Sequence, residues 1–187
     1  MAHANHPTMA KGQRWNLLAA VAVIAAFLTF ELPHAGVTTY HPLVKQVDVP
    51  IMAKEAEAVL SGVVEKQLNS VRGLGPAGDD MVFTRWLIKP DRWYKGSTTK
   101  PIVVRAMGGQ FGLTVVDVED QPQYAVGERV MMFLKAQSGW DNEYRTVGEF
   151  QGKFHLETAN GTVTARQSES GQSQPLTAIE SAIRSSM

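Results

Sequence analysis

The chain contains no cysteine. That excludes disulfides, thiolate-bound zinc or iron–sulfur clusters, covalent haem attachment, a cysteine nucleophile and a lipidated N-terminal cysteine. It also has no net charge, since Lys+Arg and Asp+Glu both number 18. Bulk nucleic acid calls for a concentrated basic surface, so no nucleic-acid partner is expected. What remains, with 187 residues and 44% of them hydrophobic, is enough for one globular domain of ordinary size behind an apolar leader.

The leader indicates the compartment. Lys11 and Arg14 precede an uncharged run from Trp15 to Phe30, closed by Glu31, Leu32 and Pro33. The run is long for the core of a signal peptide and short of the roughly 20 residues that span a bilayer. No small-x-small cleavage site stands out, because Pro33 precedes Ala35 and His34 precedes Gly36. A cleaved signal peptide and a retained anchor both fit residues 1–36, so membrane attachment through residues 15–32 stays open. Either way positive charge lies before the run and none follows until Lys45, which puts the remainder outside the cytoplasm.

Residues 37–49 have no clear period and are expected to be a spacer. Asp48-Val49-Pro50 has the form of a helix start, and a short helix is expected through IMAKEAEA to about Ala58. From Val59 the pattern turns to β. Strands are expected at 58–68, 81–90, 101–107, 113–118, 129–135, 143–150, 153–157 and 162–166. Gly62 suggests a bulge or a close backbone approach, and Asn160-Gly161 a tight hairpin. The polar, glycine-rich segment 69–80 and the run 108–112 are expected to be loops. After a linker at 168–174, Leu176, Ile179 and Ile183 line one side of a C-terminal amphipathic helix, with Thr177 and Glu180 as a capping box.

The fold class predicted is mainly β: a small closed or partly open antiparallel barrel of OB-like type, with a short helix before the first strand and another at the C-terminus. Residues 50–166 form the barrel domain, and 167–187 the linker and terminal helix.

Few residues suggest chemistry. His41 and His155 are the only histidines after the leader, and alternation in KFHLE places His155 with Lys153 and Glu157 on a polar face. A lone imidazole cannot assemble a multi-ligand zinc site, and no serine sits in a G-x-S-x-G elbow. Asp117, Glu119 and Asp120 cluster at a strand end and Asp79-Asp80 in a loop, and neither group has the spacing of a calcium loop. No catalytic residue, metal site or cofactor is therefore assigned. The most unusual local feature is Gly108-Gly109-Gln110-Phe111-Gly112. A phosphate-cradling loop opens a helix, whereas strand-like LTVV follows here. The run is expected to be a corner needing positive φ, with Phe111 as the candidate recognition anchor.

The order AEAVLSGVV (56–64), WYKG (93–96), GGQFG (108–112), YAVGERVMMFL (124–134) and YRTVGEFQGKFHL (144–156) resembles that of a group of small exported bacterial β-domains of unknown function. More distantly it is similar to the OB-like barrel of metalloproteinase-inhibitor and netrin modules. That resemblance implies fold alone, because those inhibitors chelate the protease zinc through an N-terminal cysteine absent here. The function expected is an exported, non-enzymatic binding module whose partner is a protein or envelope component. Its contacts would come from Gly108–Gly112 and from 69–80. The alternatives are a secreted hydrolase with a nonstandard site near His155, paired with Glu157 or Asp117, and a membrane-anchored envelope spacer.

Overall fold

The computed structural model describes residues 37–40 (backbone only), 46–75, 77–137, 139–140, 143–167 and 170–187. The leader, residues 1–36, lies outside the described residues. All described elements belong to one unit within Ala35–Met187. Among the described residues no helix is long and apolar enough to cross a membrane.

In chain order the elements are β1 (Val37–Tyr40), α1 (Val49–Glu55), β2 (Ala58–Leu74), β3 (Asp80–Lys95), β4 (Ile102–Met107), β5 (Gly109–Phe111), β6 (Thr114–Val118), β7 (Arg129–Ala136), β8 (Tyr144–Thr146), a 3-10 turn (Glu149–Gly152), β9 (Lys153–Ala159), β10 (Thr162–Arg166), β11 (Ser173–Pro175) and α2 (Leu176–Ser186). The protein is mainly β.

Five strands pair in a cycle. β2 pairs with β3, β3 with β4, β4 with β8, β8 with β7, and β7 returns to β2. Four of these pairings are antiparallel and β4–β8 is parallel, through Val104 and Tyr144. The sheet is therefore mixed, a correction to the all-antiparallel expectation. It continues outward from β7 through β9, β10 and β11. A separate small sheet has the order β1-β6-β5, with β1 parallel to β6. Val37–Tyr40, expected within a spacer, is thus a paired strand.

β7 explains its own composition. Val130, Met132 and Leu134 pack with Leu60, Val64, Ile88, Ile102 and Val104 in one cluster. The alternate residues Met131 and Phe133 join Val59, Phe154, Leu156 and the helices in another. A strand covered on both faces must be apolar throughout, which is why RVMMFL shows no alternation. Ile179 and Ile183 of α2 and Met52 and Ala53 of α1 are fully buried in this second cluster. Each large side chain so buried contributes about 1.5–3 kcal/mol.

Strand lengths differ from expectation where long-range pairing decides them. β2 continues through 69–74 and β3 begins at Asp80, so segment 69–80 is mostly a two-stranded arm instead of a loop. Register breaks at Ser61/Gly62, Val64/Lys66 and Leu68/Val71 bend this long hairpin. Gly62 lies at one such break, where a Cβ would come 2.4 Å from the carbonyl oxygen of Lys89. The expected strand 143–150 reduces to β8, because Gly148 and Glu149 both have positive φ and the chain turns into the 3-10 segment. α1 stops at Glu55, since Glu57 and Ala58 already join the ladder with Leu134. At α2 no side chain caps the start. Glu180 instead accepts hydrogen bonds from Arg92 (2.9 Å) and the Tyr94 hydroxyl (3.2 Å), tying the helix to β3.

Candidate functional site

The glycine run lies in a hairpin. Gly109–Phe111 forms β5, antiparallel to β6, so the corner expected at 108–112 is partly strand. Gly108, Gly109 and Gly112 have φ of 96°, 118° and 60°. At Gly109 an added Cβ would lie 2.1 Å from Thr84 Oγ1, whose hydroxyl donates to the Gly108 carbonyl (2.8 Å). The glycines therefore let this hairpin close against the β2–β3 arm. Phe111 and Leu113 are exposed at its tip, and Gln110 Nε2 donates to the Gly112 carbonyl (3.1 Å).

A second arrangement, unmarked by any motif, lies at the end of the five-strand cycle. A cavity of about 330 Å³ is bounded by Leu74 at the end of β2, Phe83 on β3, Arg105 and Met107 on β4, Gln137 and Trp140 in the β7–β8 connection, Arg145 on β8, Gln121 and Glu149. Its floor is a stack. Phe83 meets Trp140 edge-on at 5.0 Å, and the Arg105 guanidinium lies 4.7 Å from the Trp140 ring centre.

Arg105 and Arg85 are direct cross-strand partners on β4 and β3. Like charges at that spacing repel, and one carboxylate resolves the conflict. Glu143, nearly buried, accepts Arg85 Nε at 3.0 Å and also takes Arg85 Nη2 and Arg105 Nε. Burial alone would raise the Glu143 pKa, but the hydrogen bonds and charges of the two arginines outweigh it and hold the carboxyl below its usual range.

The rim is polar. Gln121 accepts the Met107 amide (3.0 Å) and donates to Glu149 (3.1 Å), and Arg145 Nε donates to Gln137 (3.0 Å). Arg145 stands 4.0 Å from Glu149. Glu149 is held at φ 55°, a conformation unfavourable for a side chain of this kind. Glu149 thus brings one strained backbone position to the cavity edge.

His155 is half-buried, in contrast to the open polar face expected. Glu128 accepts from Lys153 (2.6 Å) and lies 3.0 Å from His155 Nδ1, while Glu157 is 3.5 Å from Nε2. Lys153, also expected on that face, is buried and sits 5.0 Å from the Tyr124 ring centre. Tyr124 stacks on Trp86 at 5.3 Å. Burial above all, then Glu128 and Glu149, pushes its hydroxyl pKa far up. Among the described residues no serine or threonine is hydrogen-bonded to His155, and no group of three or more His, Asp or Glu could hold a metal. Asp117 is not among the residues that line the space around His155.

Sequence reasoning missed Arg85, Arg105, Trp140 and Glu143. A signal existed: each arginine interrupts an apolar strand, TRWLI and VVRAM. Such an arginine needs a partner, but its identity lies far along the chain.

No protein-family model matches the chain, and no curated protein resembles it significantly. The β-rich fold agrees with the coarse part of the motif resemblance.

Proposed function

We propose that the chain is a non-enzymatic binding module built on an OB-like barrel, and that it recognises its partner through the cavity at the end of the strand cycle. The observation that carries this reading is the coincidence of cycle and cavity. An OB barrel is a five-stranded, partly open Greek-key barrel that binds through the face of its second and third strands and the two loops beside it. In this chain the corresponding strands are β3 and β4, which contribute Phe83, Arg105 and Met107. The corresponding loops are the β2–β3 turn beside Leu74 and the β7–β8 connection carrying Gln137 and Trp140. Kinship with the exported β-domains and the netrin-type barrel is part of the same proposal.

The leader supports export, so the partner is a protein or envelope component met outside the cytoplasm. The glycine hairpin, Gly108, Gly109, Gln110, Phe111 and Gly112, would add a secondary contact through its exposed Phe111. Affinity capture with the full chain tests the cavity. Leu74 is exposed on its rim and Ile51 is exposed on α1, outside the cavity lining. A component captured by wild type and by Ile51→Glu, and lost with Leu74→Glu, agrees with the reading. Equal capture by all three contradicts it.

A further inference from the structure

If the cavity is the recognition site, as proposed, its charge and shape narrow the ligand. Two guanidinium groups, Arg105 and Arg145, and one carboxylate, Glu149, line the cavity, and beside it Arg85 and Arg105 share Glu143. Glu143 is shared between the two cross-strand arginines, so it cannot fully neutralise either. Arg105, only 12% exposed at its side chain, spends Nε on Glu143, and its side chain makes no other hydrogen bond among the described residues. Its guanidinium lies over the Trp140 ring, and its two Nη groups are donors left over at a residue that lines the cavity. Guanidinium N–H pairs match the two oxygens of a carboxylate in geometry as well as charge. A cation held this far from water with part of its donor set unused favours an incoming anion.

The rest of the lining is mixed: Phe83, Met107, Trp140 and Leu74 supply apolar surface, and Gln121, Gln137 and Glu149 are polar. At about 330 Å³ the space is at the small end of ligand sites, which run roughly 300–1,000 Å³. It suits one ring or branched side chain and one anionic group, and is too small for an oligomer.

We infer that the cavity binds a small monocarboxylate carrying an adjoining apolar group, with the carboxylate at Arg105 and Arg145 and the apolar group against Phe83, Met107 and Leu74. A free organic acid and the C-terminal residue of a peptide share this chemistry.

Calorimetric titration of the full chain with N-acetyl-phenylalanine, its amide, a peptide ending in free phenylalanine, and inorganic phosphate tests the inference. The acid should bind at least about 10-fold more tightly than the amide, since one charge-assisted pair is lost. Arg145→Gln, at a partly exposed position, should weaken the acid by a similar factor and the amide by clearly less. Tighter binding of the peptide than of the acetylated residue points to a chain end, and the reverse to a free acid. Equal affinity for acid and amide, no acid binding up to about 10 mM, or preference for phosphate overturns the inference. The role of the cavity is judged separately. If acid and amide bind equally and Leu74→Glu abolishes both, the cavity stands as a site and only the carboxylate assignment falls. If Leu74→Glu leaves all binding unaltered, the site lies elsewhere and both fall.

Discussion

Arg85 and Arg105 face each other directly across the β3–β4 ladder and share the carboxylate of Glu143. The pairing ties two strands of the cycle to the β7–β8 connection, and it places positive charge at the cavity floor. Fold and candidate site therefore rest on the same three residues.

Glu143→Gln should destabilise the protein by about 2 kcal/mol at neutral pH, because two half-buried arginines lose their counter-charge. The effect should depend on pH. The folded Glu143 carboxyl titrates below its usual value, so the unfolded chain binds the proton more readily. Its contribution is fully present above the ordinary carboxylate range and is lost as pH falls through the lowered folded value. Urea unfolding of wild type and variant at about pH 7 and about pH 3 should show the difference shrinking in acid. A constant difference would contradict the ion-pair account.

Gly109→Ala should cost about 2–3 kcal/mol, since φ is 118° and the new Cβ would collide with Thr84 Oγ1. Phe111→Ala, at the exposed tip of the same hairpin, should stay within about 0.5 kcal/mol of wild type. Thermal unfolding of the two variants separates a base that closes the hairpin from a tip free to make contacts. Equal losses would mean that Phe111 is structural as well.

Tyr124→Phe should be neutral or stabilising by up to about 1 kcal/mol. The Tyr124 hydroxyl is buried without a hydrogen-bond partner among the described residues, whereas the stack on Trp86 needs only the ring. A loss above about 1 kcal/mol in denaturant unfolding would show that the hydroxyl is bonded in solution.

The first strands could be read from local pattern, and the closure of the cycle could not. Gly62 stands at a register break and Asn160-Gly161 makes the tight turn between β9 and β10, both with local chemical causes. β8 is three residues long and pairs in parallel with β4 through Val104 and Tyr144, a contact between distant segments that leaves no periodic trace. Segment 69–80 looks like a loop because its own residues are largely polar and solvent-facing, with Arg72–Asp80 an exposed ion pair, whereas the buried residues that hold the arm, Met81, Val82 and Phe83, lie on the facing strand. His155 followed the alternation rule but not its usual consequence, since Tyr124 and Glu128 come from elsewhere to cover that face. The cavity escaped for a related reason. Its floor joins Phe83, Arg105 and Trp140 from three separate segments, and none of them carries a motif.

On the export proposal, residues 15–32 would lead to release or to anchorage, and either would put the domain outside the cytoplasm. Fractionation with N-terminal sequencing should find the chain in the envelope or beyond. Recovery of an intact chain from the cytosol would contradict export.

The central claim is that recognition occurs in the cavity at the end of the strand cycle. A photo-crosslinking side chain at Gln137, on the cavity wall, compared with one at Ile51 on α1, tests it most directly. The account predicts partner adducts from position 137, competed by the native partner, and none from position 51. Adducts from position 51 alone, or the same yield from both, would contradict it.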